Sequence, residues 1–549
     1  MRSILDVVGV VARNRELRRV ELAFATFNGG EWATWIAMLV FAYARGGVTE
    51  SGIVAAGMLV PAAVLAPVAA ALGERRPPGK ALLAGYVLQA SSCLTAGTAL
   101  YAGAPALVVY GLLAVTAVAF TMTRPTQAAF APGLAHTARE LAATNAVSGS
   151  VEGISVLIAP VLAGVVLDVG SPAAVFVLSG VGCAVGALLV APLRNAVPVI
   201  EAAEPDRRSA LFGEGPALIR RDPQSRMLVL LLGAQCIALG TVDVLYVELA
   251  RGVLHRGGDW AGYLCGAVGA GAVLSVAVTA RFVGRPRLAG PLAVSLLVWS
   301  VAFAGLAAVP GAVAALGLLF VAGGAEKTFD VTGRTLLQRV SRPDALAGVF
   351  GLLEGFQMGG YAVGALLAPA LVALGGPAAA FLGVGAILPV AALVAGRRLL
   401  DIDRHATVPI VEIALLRSMP LFAGLPPPTL ESLARALTPL TLPAGTEVVR
   451  QGDHGDRFYA VAAGELDVVA SGRPLAQLRR GDCFGEIALL HDVPRTATVT
   501  ARTDVHLYAL EREPFLLTLT GHAETLRSAH ELAAERLRAQ EVQPEATVA

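Results

Sequence analysis

The sequence predicts an all-α membrane domain of twelve transmembrane helices in two six-helix halves, followed by a small cytoplasmic β-roll (jelly-roll) domain with flanking helices. Hydrophobic residues make up 55% and charged residues 15% of the 549 residues, unlike a soluble domain. Apolar stretches of about 20 residues, long enough to cross a bilayer, recur close to twelve times before residue 400. After Leu440, short apolar runs alternate with glycines, a pattern typical of an antiparallel β-roll.

The N-terminal segment Met1 to Arg19 carries five arginines around an apolar face and has no small-residue cleavage site. This pattern favours an interfacial helix over a secretory signal. The predicted spans follow it in an unbroken series. They lie near residues 22–44, 51–72, 81–101, 105–131, 142–167, 172–193, 227–249, 260–283, 288–309, 312–335, 345–373 and 377–399.

Basic residues fall in alternate connections between these spans, and the connections between spans 3 and 4 and between spans 9 and 10 have none. By the positive-inside rule both termini are cytoplasmic, and so is the β-roll. We expect a multi-pass protein of a prokaryotic plasma (inner) membrane. The basic connections contain Arg75, Arg76, Lys80, Arg139, Arg281, Arg285, Arg287, Arg339 and Arg342.

The membrane part has an internal repeat. The segment Gly170-Ser-Pro-Ala-Ala-Val-Phe176 recurs as Gly375-Gly-Pro-Ala-Ala-Ala-Phe381, which is typical of transporters built from two related halves. We therefore predict a membrane domain over residues 1–400, with halves at about 20–194 and 226–400 around a central loop at 195–225. A linker at 401–416, a β-roll domain at 417–540 and a tail at 541–549 complete the prediction.

Several cytoplasmic segments resemble signatures of the major facilitator superfamily. Leu72 to Lys80 looks like a degraded form of the loop motif after span 2, while Arg124-Pro125 and the segment from Arg342 to Phe350 resemble the drug- and siderophore-exporter branch. Ala159-Pro160 stands where that branch has its antiporter motif. The resemblance implies a secondary transporter and not an enzyme, with proton-coupled export of a small organic or amphipathic molecule.

Ionisable residues within the predicted spans are candidates for transport or proton coupling, because a charge in hydrocarbon is costly unless it is paired or used. Three carboxylates fall at about mid-depth, a fourth lies nearer the outside, and span 10 carries a dense group of charges. Fixed ion pairs are the structural alternative. The candidates are Glu31, Arg124, Glu152, Asp243, Glu326, Lys327, Asp330, Arg334 and Glu354.

The stretch from Phe484 to Val499 places an acid and a base at the two ends of a short connection. If a helical turn begins at Glu486, unpaired backbone N–H groups point at one spot and attract a phosphate. Arg495 supplies two parallel guanidinium donors for phosphate oxygens, and an ionised Glu486 accepts a hydrogen bond from a sugar hydroxyl.

This stretch resembles the phosphate-binding cassette of the cyclic nucleotide-binding domain family. The resemblance implies that Glu486 holds the ribose 2′-hydroxyl, that Arg495 holds the cyclic phosphate, and that the helix from Ala523 to Gln540 is a lid over the base. It implies cAMP as a regulatory ligand, with cGMP as the alternative that Thr496 keeps open. The implied site comprises Phe484, Gly485, Glu486, Ile487, Ala488, Arg495 and Thr496.

Other classes of function are disfavoured by what the sequence lacks. The five cysteines form no CxxC pair and have no histidine at ligand spacing, so we expect no metal. A net charge of +1 gives no indication of nucleic acid. The expected partners are a small-molecule substrate, protons, a cyclic nucleotide and membrane lipids. A cyclic nucleotide receptor that does not transport and a lipid translocator on the same fold stay open as alternatives.

Overall fold

The computed structural model describes residues 2–74, 77–135, 138–196, 223–279, 287–309, 311–341, 346–395, 410–422, 425, 427–520 and 523–541. The chain divides into two compact units. The first comprises Met1–Ala135 and Ala143–Thr407, and the second comprises His136–Ala142 and Val408–Ala549. Most of the predicted central loop and most of the predicted linker lie outside the described residues.

The first unit is helical. An amphipathic helix at the N-terminus precedes long apolar helices, and a short 3₁₀ turn (Ala191–Leu193) and a π turn (Leu249–Val253) extend two of them. The helices are α1 (Arg2–Arg13), α2 (Arg15–Glu74), α3 (Pro78–Tyr101), α4 (Ala106–Leu134), α5 (Ala138–Val169), α6 (Pro172–Val190), α7 (Pro223–Glu248), α8 (Trp260–Thr279), α9 (Ala289–Leu306), α10 (Ala312–Val340) and α11 (Leu346–Ala395).

Two of these helices each contain two predicted spans joined at a glycine pair. Helix α2 kinks at Gly46-Gly47, where Gly47 has a φ of 65°, and α11 kinks at Gly375-Gly376, where Gly376 has a φ of 73°. Such positive φ values favour glycine. Within the described residues, eight helical stretches are long and apolar enough to cross a membrane, with α2 and α11 counted once each. The count of twelve spans stays a prediction.

Small residues let the helices of this unit approach closely. A Cβ atom added at Gly262 would overlap the Pro160 carbonyl oxygen of α5, and one added at Gly323 of α10 would overlap the Val268 carbonyl oxygen of α8. Gly240 of α7 meets the Tyr361 carbonyl of α11 in the same way. In a membrane, where no hydrophobic force joins helices, such backbone proximity supplies the packing energy.

The second unit consists of two antiparallel four-stranded sheets with flanking helices. The strands are arranged in the orders β1-β8-β3-β6 and β2-β7-β4-β5. The elements are α12 (Ile410–Ser418), α13 (Pro427–Ala436), β1 (Thr438–Leu442), β2 (Glu447–Val449), β3 (Arg457–Ala463), β4 (Leu466–Ala470), β5 (Arg473–Leu478), β6 (Cys483–Phe484), α14 (Glu486–His491), β7 (Thr498–Ala501), β8 (Val505–Glu511), α15 (Arg512–Thr520) and α16 (Ala523–Glu541).

The helices of this unit pack on one sheet through an aromatic cluster. The Phe458 and Phe515 rings stack with centroids 4.8 Å apart, and Phe422 meets Phe458 edge to face. Leu415 and Leu416 of α12 are buried in the same core, so a helix begins inside the predicted linker because its apolar side is covered by this core. The predicted fold class, apolar helices followed by an antiparallel β domain, is confirmed.

Candidate functional site

A pocket of about 140 Å³ lies in the second unit, between the two sheets and the ends of α14 and α16. Its walls are apolar side chains from β2, β4, β5 and β7, and its charged lining consists of Glu486, Arg495 and Arg536. All seven residues that the sequence predicted for this site line the pocket. They are Phe484, Gly485, Glu486, Ile487, Ala488, Arg495 and Thr496.

The turn between β6 and α14 depends on Gly485. This residue has a φ of 89°, in the left-handed region that disfavours side chains. A Cβ atom added here would lie 2.5 Å from Arg495 Nη1 and 2.8 Å from the Arg457 carbonyl oxygen. Gly485 therefore lets the backbone turn into α14 and lets the Arg495 guanidinium reach the peptide beneath it.

Arg495 is 5% exposed and is held by backbone oxygens. Its Nη1 donates to the Gly485 carbonyl at 3.1 Å and its Nη2 donates to the Arg457 carbonyl at 2.8 Å. The nearest carboxylate, that of the exposed Asp456, is 3.5 Å from Nη2. Because a buried cation needs a nearby negative charge, this weakly compensated guanidinium is suited to an anionic ligand in the pocket.

Glu486 is 1% exposed and forms an ion pair with the last helix of the chain. Arg536 Nη1 of α16 donates to Glu486 Oε1 at 2.7 Å and to the Cys483 carbonyl oxygen at 2.8 Å. Glu486 Oε2 has no hydrogen-bond partner within the described part of the chain. Arg536 thus orients the carboxylate and leaves one buried oxygen that can accept a hydrogen bond from a ligand hydroxyl.

The electrostatics of the pocket follow from burial and pairing. Burial lowers the pKa of Arg495, while for Arg536 the Glu486 carboxylate outweighs the effect of burial and the pKa rises. Burial raises the pKa of the Cys483 thiol to about 12, so the thiol is protonated at neutral pH and adds no charge. At neutral pH both guanidinium groups are therefore positive and the thiol is neutral.

A second cavity, of about 350 Å³, lies in the first unit among α2, α4, α7 and α11. These helices come from both predicted halves. The charged and polar side chains that line it include Glu31, Arg124 and Asp243, and the rest of the wall is rich in aromatic and methionine side chains. Its volume falls in the range of pockets for small organic ligands.

Arg124 joins two of the predicted mid-depth acids. Its Nη1 and Nη2 donate to the two carboxylate oxygens of Glu31 at 3.0 Å and 2.7 Å, and its Nε donates to Glu152 Oε1 at 3.3 Å. Nη2 also donates to Asn28 Oδ1 at 3.1 Å, and the guanidinium lies 5.1 Å from the Phe27 ring centroid. Helices α2, α4 and α5 are therefore tied by one charged cluster, which we call the Arg124 clamp (Arg124, Glu31, Glu152 and Asn28).

The charged group of span 10 forms a separate network on α10. Asp330 accepts from Arg334 Nε at 2.7 Å and from Lys327 Nζ at 3.2 Å, while Glu326 Oε1 accepts from Gln235 Nε2 at 2.7 Å. None of these four α10 residues lines the described cavity. Glu354 belongs to α11, but its side chain lies outside the described residues.

Three interacting residues were missed in the sequence. Arg536 is one of several basic residues on the last helix, and only the fold brings it to Glu486. Glu21 precedes the first predicted span by one residue, yet it is buried and accepts from Ser148 Oγ at 2.7 Å. Tyr43 donates to Glu248 Oε2 at 2.7 Å and so links α2 to α7, which belong to different predicted halves. Among the described residues, no His, Cys, Asp and Glu side chains cluster as a metal site.

Comparisons with known proteins agree with this division. Residues 21–295 match the family model for the Major Facilitator Superfamily, and residues 439–521 match the model for the cyclic nucleotide-binding domain. The second match falls within the unit that contains the pocket, and the first, apart from residues 136–142, falls within the unit that contains the cavity.

Similar individual proteins match the C-terminal part. The cAMP-dependent protein kinase regulatory subunit of Aspergillus niger is 39% identical over 118 residues, 21% of this chain and 29% of that protein. The corresponding subunit of Eremothecium gossypii is 42% identical over 113 residues, 20% of this chain and 25% of that protein. The solved Thermus thermophilus Catabolite Activator Protein is 32% identical, with a TM-score of 0.21, over 23% of this chain and 61% of that one. The chain spans less than a third of the length of these curated relatives.

We predict that Gly485→Ala destabilises the β-roll more than Gly472→Ala does. Both glycines have positive φ, 89° and 78°, but nothing lies within 4 Å of a Cβ atom at Gly472. The strained backbone costs about 1–2 kcal/mol at either site, and at Gly485 the displaced Arg495 hydrogen bonds add about 1–3 kcal/mol. Amide hydrogen exchange of the strands in the full chain measures both values. Equal destabilisation would show that Arg495 does not depend on this close approach.

Proposed function

Because this chain belongs to the Major Facilitator Superfamily and carries a C-terminal cyclic nucleotide-binding domain, we propose that it is a secondary transporter regulated by cytoplasmic cAMP. Its substrate is a small organic or amphipathic molecule, and the transport is proton-coupled export. The protein acts in a plasma (inner) membrane with both termini and the nucleotide domain in the cytoplasm. The exporter-like segments around Arg124 support this branch of the superfamily.

The observation that carries the proposal is the cavity of about 350 Å³ lined by residues of both predicted halves. A site between two repeats is where alternating access exposes a bound molecule first to one side and then to the other. The cavity combines an apolar wall with a few charged groups, as small-molecule sites do.

The Arg124 clamp is the proposed site of proton coupling. Glu31 and Glu152 share one guanidinium, so protonation of either acid weakens its hold on Arg124 and loosens the contact between α2, α4 and α5. An ion pair in a poorly hydrated place is stable only while both charges persist. Binding of a proton to one acid can therefore drive a change in helix packing. Glu354 and the α10 network, Glu326, Lys327, Asp330 and Arg334, remain further candidates.

In the β-roll pocket, we assign the cyclic phosphate to Arg495 and the ribose 2′-hydroxyl to the unpartnered oxygen of Glu486. The short turn from Gly485 to Ala488 supplies backbone N–H groups beside the phosphate, and the apolar walls cover the sugar and the base. The relatives are named as cAMP-dependent regulatory subunits, which favours cAMP; cGMP is the alternative. Arg536 links the occupied pocket to α16.

We predict that the purified full chain in proteoliposomes moves at least one solute from a panel of positive, negative and neutral organic compounds when a pH gradient is imposed. Glu31→Gln and Glu152→Gln should lower the pH-dependent part of the flux at least tenfold, because an amide keeps the shape but cannot carry the proton or neutralise Arg124. Solute flux and internal pH are recorded together.

The matched control for this experiment is Asp168→Asn, which neutralises an exposed acid at the far end of the same helix α5. It should leave flux and its pH dependence unchanged. Wild-type protein that binds nucleotide but moves no member of the panel would favour the receptor alternative. Flux with unaltered pH dependence in both glutamine variants would remove the Arg124 clamp from the coupling mechanism.

We predict that the full chain binds cAMP and that Arg495→Ala weakens binding about 30-fold to several thousand-fold. The reason is that a desolvated phosphate left without its cationic partner costs on the order of 2–5 kcal/mol. Arg502→Ala is the control, since Arg502 is exposed and its side chain forms a 3.9 Å surface ion pair with Glu465. Calorimetry on detergent-solubilised protein measures all three dissociation constants.

The assignment of this pocket would be contradicted by two results. One is the absence of heat for both cAMP and cGMP with folded wild-type protein. The other is an Arg495→Ala variant that binds as tightly as the Arg502→Ala control.

A further inference from the structure

The charged groups around the membrane cavity are unbalanced. Three carboxylates, those of Glu31, Glu152 and Asp243, belong to the cavity or to the Arg124 clamp beside it, and Arg124 is the one cation among the described residues of this set. When the acids are ionised, the site therefore carries an excess of negative charge. In a poorly hydrated place such an excess is stable only if protons or a cationic ligand compensate for it.

Arg124 is not available for an anionic ligand. It uses four of the five N–H donors of a guanidinium in its bonds to Glu31, Glu152 and Asn28. An incoming carboxylate or phosphate would have to displace Glu31, whose two oxygens are engaged side by side with Nη1 and Nη2. Because such bidentate pairs are among the stronger charge-assisted contacts, the guanidinium favours its own acids over a ligand.

Asp243 is the cavity-lining acid that does not belong to the Arg124 clamp. It lies on α7, on the other predicted half, and it lines the cavity. Its carboxylate is hydrogen-bonded with the Trp35 side chain, but within the described part of the chain no lysine or arginine lies within ion-pair distance of it. A positively charged group entering the cavity is therefore the partner that would compensate for it without disturbing the clamp.

The remaining cavity wall suits the apolar body of such a cation. Aromatic faces come from Trp32, Trp35, Phe120 and Tyr361, and such faces attract cations through their ring quadrupoles. Methionine side chains on α2 and α11 add flexible, polarisable surface. The Thr34 side chain also lines the cavity, and its buried hydroxyl is hydrogen-bonded with the Cys93 thiol.

From these contacts we infer that the cavity binds a monovalent organic cation with an apolar, aromatic or bulky body, and that Asp243 is the counter-ion that selects its positive charge. The inference rests on the proposed function, since it names the class of molecule that the transporter carries. An anionic lipid or organic anion fits the cavity poorly, because its charge would face Asp243 and an occupied Arg124.

Tetraphenylphosphonium and tetraphenylborate test the sign of the charge, because the two ions have nearly the same shape and opposite charges. Binding of each radiolabelled ion to the full chain in detergent is measured in separate samples, with protein-free micelles as the blank. Wild-type protein should bind the phosphonium at least tenfold more tightly than the borate. Equal affinity, or a preference for the borate, would overturn the inference.

Variants at one position then test the role of Asp243. Asp243→Asn should weaken phosphonium binding at least tenfold, Asp243→Glu should keep it within about threefold, and Asp168→Asn, on α5, should leave it unchanged. A tenfold loss corresponds to about 1.4 kcal/mol. Unchanged phosphonium binding in a folded Asp243→Asn variant would remove Asp243 as the counter-ion. If that variant does not fold, wild-type ion selectivity and the glutamate variant still decide.

Flux measurements separate a failure of this inference from a failure of the proposed function. If the wild-type protein shows no preference for the phosphonium but transports an anionic or neutral solute in proteoliposomes, the cation inference is wrong and the proposed transport function stands. Protein that binds the phosphonium through Asp243 but moves no solute of any charge would support the cation site and contradict transport.

Discussion

The cost of holding a charge away from water is the constraint on which the β-roll site depends, and the pairing of charges is the constraint on the membrane cluster. In the β-roll, Arg495 is buried against backbone carbonyls with only a distant carboxylate, and Glu486 is buried against Arg536. In the membrane unit, Arg124 is held by Glu31 and Glu152. Each arrangement leaves a charge incompletely matched, and we propose that a ligand of the opposite charge or a proton balances it. On this proposal, binding energy at both sites comes from completing a charge network that the fold already holds in place.

The parts of this architecture that could be read from the sequence are those set by local pattern. Runs of apolar residues indicate helices long enough for a bilayer, and glycines between short apolar runs indicate the β-roll. The order of residues from Phe484 to Thr496 was enough to place the pocket, because a short turn fixes its own geometry once Gly485 supplies the positive φ. Glu31 and Glu152 were predicted as transport candidates from their depth in the predicted spans, and that role stays a prediction.

What the sequence did not indicate is which distant residues meet. Arg536 is 50 residues from Glu486 in the chain, and Arg124 is 93 residues from Glu31, so only tertiary packing decides these pairs. Glu21 was missed because the predicted span began one residue after it, and an acid at a span boundary reads as solvent-exposed. The excess of acid over base in the cavity likewise emerged only when α2, α4 and α7 were placed around one space.

Regulation by cAMP requires that nucleotide binding and solute binding are energetically coupled. The most direct test is whether each ligand changes the affinity for the other by the same factor. A ligand shifts a conformational balance only by its difference in affinity for the two states, so a transported solute must change nucleotide affinity by the same factor by which nucleotide changes solute affinity. We would measure the cAMP dissociation constant of the full chain with and without a saturating transported solute, and the converse. The account predicts equal factors, with a tenfold change corresponding to about 1.4 kcal/mol. Factors of one in both directions, in protein that binds both ligands, would contradict it.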